Sequence, residues 1–361
     1  MQRAAGAGNE SKRRRFVRFL YFGIKGSVTV KTIDIIIPVY KPDKSFLTLI
    51  ERLEKQTVPV NRIIVLNTEQ KYFERLIYGT SFLEKYRNVY ITHLSKREFN
   101  HGGTRKKGVQ KSDASIFVMM TQDAVPEDEH LLEYLIMPLE NDGAAVSYAR
   151  QLAAEDCNEI ERYTRAFNYS EESRLKAKED IRELGIKTYF CSNVCAAYNR
   201  KIYDELGGFI KHTIFNEDMI YAAAAVQAGY KIAYAAQARV IHSHNYSFSQ
   251  QFRRNFDMGV SQADHPEIFA KLSPEGEGIQ LLKATSAHLW KSKKKRMIPK
   301  LYIGTACKYA GYVLGKHYRS LPHGIVIRCT MNKTYWEQTG RIRSGEKIDA
   351  TRGYGKSEEE R

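Results

Sequence analysis

The sequence predicts an α/β protein whose mainly parallel β-sheet is flanked by helices. Short apolar runs alternate with helical segments through the first third of the chain, and this alternation favours parallel strands joined by crossover helices. The run at residues 116–120 is continuously hydrophobic, as in a strand buried on both faces, and Asp123 and Pro126 follow it. A carboxylate in that position stands where open α/β sheets bind ligands.

The first part of the chain contains four predicted strands separated by helical segments. These strands are the apolar runs at residues 33–40, 62–67, 89–94 and 116–120. The spacing of apolar residues predicts helices at 45–55 and 71–86. Gly102 and Gly103 open another predicted helix, whose free backbone N–H groups and Arg105 suit an anionic ligand.

Charge and hydrophobicity patterns predict the helices and the strand of the second part of the chain. Residues 155–184 are highly charged and are expected to be helical, whereas residues 188–197 are expected to form an apolar strand with a polar interruption. Gly229 is expected to terminate an alanine-rich helix. Residues from 248 onward are expected to be helical, and one or two basic helices are expected within residues 280–320.

Several polar residues at element boundaries are candidates for chemistry. Glu217 and Asp218 open the alanine-rich helix, where carboxylates either favour the positive helix end or supply a general base. His242 and His244 are two residues apart, so both side chains would face one side of an extended strand and could reach a metal. Asp123 is either a ligand for a divalent cation or a helix cap.

Size and composition indicate a folded protein with a large core. The chain has 361 residues, of which 43% are hydrophobic and 27% are charged. Its five cysteines show no CxxC spacing, which indicates reduced thiols in a cytoplasmic protein and excludes a disulfide framework or a zinc site. We expect neither a membrane-spanning segment nor a secretory signal.

The formal net charge of +16 is concentrated at the two ends of the chain. Residues 1–26 carry +6 and residues 278–336 carry +12, so the remaining residues are nearly neutral. Two strongly basic ends are typical of a protein that binds nucleic acid or an anionic membrane surface.

Five motifs occur in an informative order. They are IDIIIPVY, GGTRKKGVQKSDASIFVMMTQDAVP, SNVCAAYNR, NED and HSHNYS. Over residues 32–262 this ordered set resembles family 2 glycosyltransferases of the GT-A fold, which implies a mixed, mainly parallel sheet flanked by helices. More narrowly, it resembles bacterial rhamnosyltransferases that use dTDP-L-rhamnose. Neither the dinucleotide-binding GxGxxG fingerprint nor the GxxxxGK[ST] phosphate loop is present.

The resemblance implies roles for the residues that match the motifs. Asp218 would be the base that deprotonates an acceptor hydroxyl, with Glu217 beside it as an orienting carboxylate. Mg²⁺ or Mn²⁺ would be held by Asp123 together with a histidine, for which His242 is the better match and His244 is the alternative. Thr121 departs from the family pattern, because it replaces the first Asp of a DxD motif.

The resemblance also implies two sets of binding residues. The nucleotide-sugar donor would contact Pro38, Val39, Tyr40, Asn67, Thr68, His101, Gly102, Gly103, Arg105, Gln122 and Asp123. The acceptor would contact Ser192, Asn193 and Glu217. Asn67 and Thr68 stand where many relatives carry an acidic residue for the base.

The implied reaction is inverting transfer of L-rhamnose to a saccharide hydroxyl in cell-surface polysaccharide synthesis. The acceptor would be linked to a polyprenyl diphosphate, and the protein would be peripheral on the cytoplasmic membrane face. Four parts are expected: a basic flexible segment, a GT-A domain, a basic helical membrane-associating region and a disordered tail. They comprise residues 1–30, 31–265, 266–340 and 341–361.

Three other functions are consistent with parts of the sequence. One is a GT-A transferase for another donor, such as a UDP-hexose or a UDP-N-acetylhexosamine. A second is a nucleic-acid-binding protein, but the nearly neutral centre and the lack of RNP, zinc-finger and basic-zipper signatures argue against a nucleic-acid partner. A third is a non-catalytic carbohydrate-binding relative, against which the intact Asp123, Asp218 and His242 weigh.

Overall fold

The structure is a computed structural model that describes residues 32–270 and 275–339. Within these ranges, nine strands form a single mixed sheet. The strands are β1 (Ile33–Tyr40), β2 (Arg62–Thr68), β3 (Val89–Leu94), β4 (Ile116–Met120), β5 (Val125–Pro126), β6 (Ala144–Leu152), β7 (Arg174–Lys176), β8 (Cys195–Asn199) and β9 (Lys231–Ile241).

Helices pack on the sheet and continue beyond its last strand. Those that precede β9 are α1 (Lys44–Glu54), α2 (Gln70–Ile77), α3 (Phe82–Lys85), α4 (His101–Gln110), α5 (Leu131–Asn141), α6 (Glu159–Asn168), α7 (Ile181–Leu184), α8 (Arg200–Glu205) and α9 (Glu217–Gln227). Those that follow it are α10 (Phe248–Asp264), α11 (Pro266–Phe269), α12 (Glu275–Lys291), α13 (Ile298–Lys316), α14 (His323–Cys329) and α15 (Lys333–Thr339).

The strand order confirms the predicted α/β fold with a mixed sheet. Along the sheet the strands run β3-β2-β1-β4-β8-β6-β9-β5, with β7 also paired to β9. Parallel pairing joins β1, β2, β3 and β4, as the alternation of strands and helices predicts. The pairs β4–β8 and β6–β8 are antiparallel, whereas β6 and β9 are parallel. The carboxyl ends of β1, β2 and β4 therefore meet at one edge of the sheet.

Three local predictions differ from the structure. The segment 71–86 is two short helices, because the chain turns at Gly79, whose φ is +70°. The segment 155–184 contains α6 but also β7, which is paired through Leu175 to β9, and pairing with a distant strand leaves little local signal. The segment 188–197 is a strand only from Cys195, and Ser192 and Asn193 lie in the preceding loop.

The C-terminal helices pack directly against α10 through glycines. A Cβ atom added at Gly315 would lie 2.1 Å from the Phe256 carbonyl oxygen, and one at Gly311 would lie 2.1 Å from that of Phe252. Because glycine has no side chain at these positions, α13 can approach the α10 backbone closely. A separate hydrophobic cluster, which includes Phe256 and Trp336, lies in this part of the protein. The division between parts at residue 265 stays a prediction.

We expect Gly315→Leu to destabilise the fold, because the two helix backbones must separate to admit the side chain. Overpacking of this kind costs about 1–3 kcal/mol or more in the free energy of unfolding. Gly324→Ala is the control, since nothing lies within 4 Å of its added Cβ. Denaturant unfolding measures both variants, and equal midpoints would contradict the packing role of Gly315.

The structure describes most of the chain between its two predicted terminal segments. The predicted basic segment 1–30 and the predicted tail 341–361 lie outside the described residues. Among the described helices, none combines the length and the hydropathy that a membrane span requires. All five cysteines are free thiols, and Cys157, Cys191 and Cys195 are buried.

Candidate active site

The ends of β1 and β2 bring together five of the eleven residues predicted to bind the nucleotide-sugar donor. The parallel register places Pro38 beside Leu66, Val39 beside Asn67, and Tyr40 beside Thr68. The Val39 side chain is buried in the core, whereas Tyr40 is 39% exposed and packs edge-on against Tyr72. Tyr40 is therefore the side chain of β1 that can meet a ligand at this edge.

Asn67 and Thr68 carry buried polar atoms that lack partners. The Asn67 amide nitrogen donates to Nδ1 of His93 at 2.9 Å, but Asn67 Oδ1 and Thr68 Oγ1 have no hydrogen-bond partner among the described residues. A buried polar atom without a partner costs free energy unless a ligand or water satisfies it. Both residues lie at the sheet edge that carries Tyr40, and their predicted role in donor binding stays a prediction.

The turn after β4 is tied to the end of β1. Gln122 Oε1 accepts a hydrogen bond from the Tyr40 backbone N–H at 2.8 Å, and Gln122 Nε2 donates to the Tyr40 carbonyl oxygen at 3.1 Å. The turn itself closes when the Ala124 N–H donates to the Thr121 carbonyl oxygen at 3.2 Å. Asp123 is thereby held at the same sheet edge as Tyr40.

The glycines at the start of α4 allow close packing. The helix begins at His101, and the Asn100 side chain caps it by accepting from the Gly103 N–H at 2.6 Å. An added Cβ at Gly102 would lie 2.1 Å from the Ile210 carbonyl oxygen. This contact accounts for the glycine without an anion, so the predicted anion-binding role of Gly102 and Gly103 stays a prediction.

Strand pairing brings Asp123 to the two histidines. Val125 of β5 pairs antiparallel with Ile241 of β9, so the residues just before β5 lie next to those just after β9. His242 and His244 both point back at Asp123, with Nε2–oxygen distances of 3.5 Å and 3.4 Å, one to each carboxylate oxygen. The three side chains have ligand atoms that all lie within 4.8 Å of one another.

The electrostatics of this triad suit a cation. Burial lowers the pKa of His242 well below its ordinary value, and burial also lowers the pKa of His244. Both rings are therefore neutral near pH 7, each with one nitrogen lone pair to offer. Asp123 is 35% exposed, so an ion could enter from solvent. One carboxylate and two imidazoles within this span can hold a divalent transition metal.

The acidic pair lies at the start of α9, after a residue with unusual backbone geometry. Asn216 has φ +61° and ψ +22°, the left-handed region in which asparagine is enriched among non-glycine residues. This conformation turns the chain into the helix, where Glu217 and Asp218 occupy the first turn. Left-handed backbone next to candidate catalytic residues is a strained feature that tends to occur at functional sites.

Glu217 is buried and contacts protein groups through one of its carboxylate oxygens. Its Oε1 lies 3.2 Å from Nε of Arg105 and accepts from the Asn193 amide at 3.0 Å. Burial alone would raise the pKa of Glu217, but Arg105 and then His101 hold the pKa below its ordinary value. Burial lowers the pKa of His101 to about 4. Glu217 is therefore an ionised positioning group, and its predicted acceptor contact stays a prediction.

Asp218 has the properties of a general base. Its two oxygens accept the backbone N–H groups of Asn193 at 2.9 Å and Met219 at 2.8 Å. Burial, followed by the neighbouring charge of Glu217, raises the pKa of Asp218 to about 7. A carboxylate with this pKa accepts protons more strongly than an ordinary one while remaining substantially ionised at neutral pH.

The predicted acceptor residues Ser192 and Asn193 lie between the surroundings of the metal triad and the acidic pair. Asn193 is 3% exposed, and Tyr198 donates to its Oδ1 at 2.7 Å, so its side chain is used within the protein. Ser192 Oγ accepts from Nε2 of Gln151 at 3.0 Å. The structure thus gives both residues positioning contacts, and acceptor binding by them stays a prediction.

Several residues near the site have no clear signal in the sequence. Gln151 and Arg165 contact each other behind the triad, and Gln151 also contacts His242. Arg254 lies over the Phe215 ring at 4.8 Å, and its charge acts on His242 and His244. Each residue reaches the site through pairing between distant segments. A pattern of neighbouring residues cannot reveal them.

Comparisons with known proteins agree with the motif-based resemblance. Residues 34–207 match the glycosyl transferase family 2 profile. The chain is 39% identical over 306 residues to the O-antigen chain rhamnosyltransferase RfbN of Salmonella typhimurium, covering 84% of this chain and 96% of that protein. It is 41% identical to the O-antigen chain rhamnosyltransferase WbaN of Salmonella anatum, covering 78% of this chain and 88% of the relative.

Solved structures include a similar glycosyltransferase. The mannosyltransferase PcManGT of Pyrobaculum calidifontis, in complex with GDP-Man and Mn²⁺, aligns with a TM-score of 0.48 and 13% identity, covering 94% of this chain and 95% of that one. The two Salmonella relatives match over most of their length at about two-fifths identity. The chain therefore belongs to glycosyl transferase family 2, and it is a GT-A glycosyltransferase.

Proposed function

We propose that this protein transfers L-rhamnose from dTDP-L-rhamnose to a hydroxyl of a growing polysaccharide, with inversion at the anomeric carbon. The observation that carries the proposal is the near full-length similarity to two O-antigen chain rhamnosyltransferases. The carboxylate pair at 217–218 and the triad of Asp123, His242 and His244 supply the chemistry such a transfer needs.

Asp218 is the proposed base. Its carboxylate takes the proton of the acceptor hydroxyl as that oxygen forms a bond to the anomeric carbon. The bond between this carbon and the diphosphate oxygen breaks, and its electron pair leaves with the nucleoside diphosphate. Glu217 keeps Asp218 basic through its charge and, with Asn193, fixes its position. General-base catalysis contributes about 10²–10⁴-fold to such a step.

The triad of Asp123, His242 and His244 is the proposed metal site. Two imidazole nitrogens suit Mn²⁺ better than Mg²⁺, which prefers oxygen ligands. A divalent cation held there would neutralise charge on the departing diphosphate. Tyr40 with the unpartnered atoms of Asn67 and Thr68 is proposed to receive the nucleoside.

Release of nucleoside diphosphate from a panel of donors tests the donor assignment. The panel consists of dTDP-L-rhamnose, UDP-glucose, UDP-N-acetylglucosamine and GDP-mannose, each with Mn²⁺ and a lipid-linked saccharide extract as acceptor source. Turnover of dTDP-L-rhamnose well above the others supports the proposal. Turnover of a UDP-sugar instead would retain the family chemistry and overturn the rhamnose assignment.

We also propose that the acceptor is linked to a polyprenyl diphosphate and that the protein works at the cytoplasmic membrane face. The surface that supports this comprises exposed residues of α12, α13 and the connection between them. Trp290, Tyr302, Ile303 and Tyr309 are each at least 51% exposed. Lys295 lies 3.6 Å from the centroid of the Trp290 ring. Exposed aromatic residues beside cations suit the interface of an anionic bilayer.

Neutralising three exposed cations of this surface is expected to weaken binding to anionic vesicles. The variant carries Lys291→Gln, Lys295→Gln and Arg296→Gln. Each cation near an anionic surface contributes about 1 kcal/mol, so we expect a loss of about 10²-fold in vesicle affinity at low salt. Vesicle sedimentation measures this loss, and high salt is expected to abolish the difference.

A second triple variant serves as the control for charge alone. It carries Lys44→Gln, Lys55→Gln and Lys85→Gln, all exposed and distant in sequence from α12 and α13. This control is expected to bind vesicles almost as well as the unmodified protein. Equal losses in both variants, or tighter binding to duplex DNA than to vesicles at the same salt, would contradict the membrane surface.

A further inference from the structure

A buried glutamine lies directly behind the candidate metal triad. Gln151 is on β6 and is 3% exposed. Its Oε1 lies 3.0 Å from Nδ1 of His242 and also accepts a hydrogen bond from Arg165. Its Nε2 donates to Tyr169 Oη at 2.6 Å and to Ser192 Oγ at 3.0 Å. All polar atoms of this side chain are therefore engaged.

These contacts define the orientation of the Gln151 amide. An arginine guanidinium can donate hydrogen bonds but cannot accept them, so the amide atom that faces Arg165 must be the oxygen. The same oxygen faces Nδ1 of His242, and two acceptors cannot form a hydrogen bond with each other. His242 must therefore carry its proton on Nδ1.

The position of this proton matters at the other ring nitrogen. A neutral imidazole has one N–H and one lone pair, so a proton on Nδ1 leaves the lone pair on Nε2. That nitrogen lies 3.5 Å from Oδ1 of Asp123. Without Gln151, the proton would be more favourable on Nε2, where the Asp123 carboxylate could accept it, and the lone pair needed by a metal would be lost.

We infer that Gln151 is a positioning residue that fixes the Nδ1–H tautomer of His242, and that Arg165 fixes Gln151. Arg165 is itself held on α6 by an ion pair with Glu161 at 2.8 Å. The metal-binding consequence rests on the proposed function, whereas the tautomer does not. A partner that orients a ligating histidine in this way typically changes metal affinity by about 10–100-fold.

Two substitutions of Gln151 separate positioning from packing. Gln151→Met keeps the length of the side chain but removes the acceptor. Gln151→Glu keeps an oxygen facing both Arg165 and His242. We expect Gln151→Met to lose about 10–100-fold in Mn²⁺ affinity and Gln151→Glu to retain the affinity of the unmodified protein. Isothermal titration with Mn²⁺ alone measures both, and thermal unfolding checks that each variant is folded.

The tautomer is measured directly without metal or donor. Long-range ¹H–¹⁵N spectra of metal-free protein with labelled histidine distinguish Nδ1–H from Nε2–H, and the His242→Gln variant identifies the signal of His242 among the ten histidines. We expect Nδ1–H in the unmodified protein and in Gln151→Glu, and Nε2–H in Gln151→Met.

Several results would overturn the inference. One is an unchanged Nδ1–H tautomer in Gln151→Met, and another is an Nε2–H tautomer in the unmodified protein. Equal loss of Mn²⁺ affinity in both variants would also show that Gln151 acts through packing. A tautomer change without any Mn²⁺ binding by the unmodified protein would support the positioning role while refuting the metal in the proposed function.

Discussion

Replacing Asp218 with Asn is expected to reduce the rate of sugar transfer by at least 10²-fold. The substitution keeps the shape of the side chain, but an amide cannot take the proton of the acceptor hydroxyl. The loss should appear in kcat, because the base acts in the chemical step rather than in donor binding. Affinity for the nucleoside diphosphate product is expected to remain within a few-fold of the original.

The pH dependence of transfer provides a second signature of the same base. Asp218 must be ionised to accept a proton, and burial together with Glu217 raises its pKa to about 7. Activity should therefore rise as pH increases through about 7 and fall tenfold per pH unit well below it. Glu217→Gln removes the neighbouring negative charge and should move this limb to lower pH, because the charge of Glu217 raises the Asp218 pKa.

A matched carboxylate outside the site is the control. Asp204 is exposed at the end of α8 and pairs with Arg200 at 2.7 Å. Asp204→Asn is expected to retain nearly full activity and an unchanged pH profile. If Asp218→Asn retained transfer near the original rate, or if its pH profile kept the limb near 7, Asp218 would not be the base.

Loss of the Asp123 carboxylate is expected to reduce the rate of sugar transfer about as much as the replacement of Asp218. Asp123→Asn removes the charge of the triad while leaving both imidazoles in place. Several kcal/mol of charge stabilisation on the leaving diphosphate would be lost, which corresponds to at least 10²-fold in rate. The variant should also bind Mn²⁺ more weakly in isothermal titration, and excess Mn²⁺ should restore part of its activity.

A control variant distinguishes the roles of the two triad histidines from a general effect of removing an imidazole. His242→Gln and His244→Gln are each expected to weaken Mn²⁺ binding, because each Nε2 approaches a different oxygen of Asp123. His130→Gln is the control, since His130 is partly exposed and contacts Glu133 instead. Transfer that persists in metal-free protein with a chelator present would show that the triad has another role.

The sequence predicts the strands of the first half closely. The bounds of β1, β3 and β4 agree with the predicted ones, and β2 is one residue longer. These strands are continuous apolar runs buried in the sheet, so local composition is enough to identify them. The segment from 188 to 197 is not one strand, because its buried residues Tyr189 and Cys191 lie in a short 3₁₀ helix (Gly185–Tyr189) and in the loop that precedes β8. Burial of apolar residues alone does not distinguish these conformations from a strand.

The sequence predicts those candidate site residues that belong to a motif. It does not predict contacts that form only when distant segments pair. Asp218, Asp123 and His242, with His244 as the alternative ligand, are predicted from ordered motifs, and the structure brings both histidines to Asp123 through β5 and β9. The ion pair between Arg105 and Glu217 and the contact between Gln151 and His242 join residues about 90 or more positions apart. No local pattern encodes such contacts.

The configuration of the transferred sugar tests the central claim most directly. The unmodified protein is supplied with dTDP-L-rhamnose, Mn²⁺ and a lipid-linked saccharide acceptor, and the purified product is examined by NMR at its new anomeric carbon. A single displacement with Asp218 as base predicts one added rhamnose whose anomeric configuration is opposite to that in the donor. A product with the donor configuration, or transfer of a different sugar in preference to rhamnose, would contradict the account.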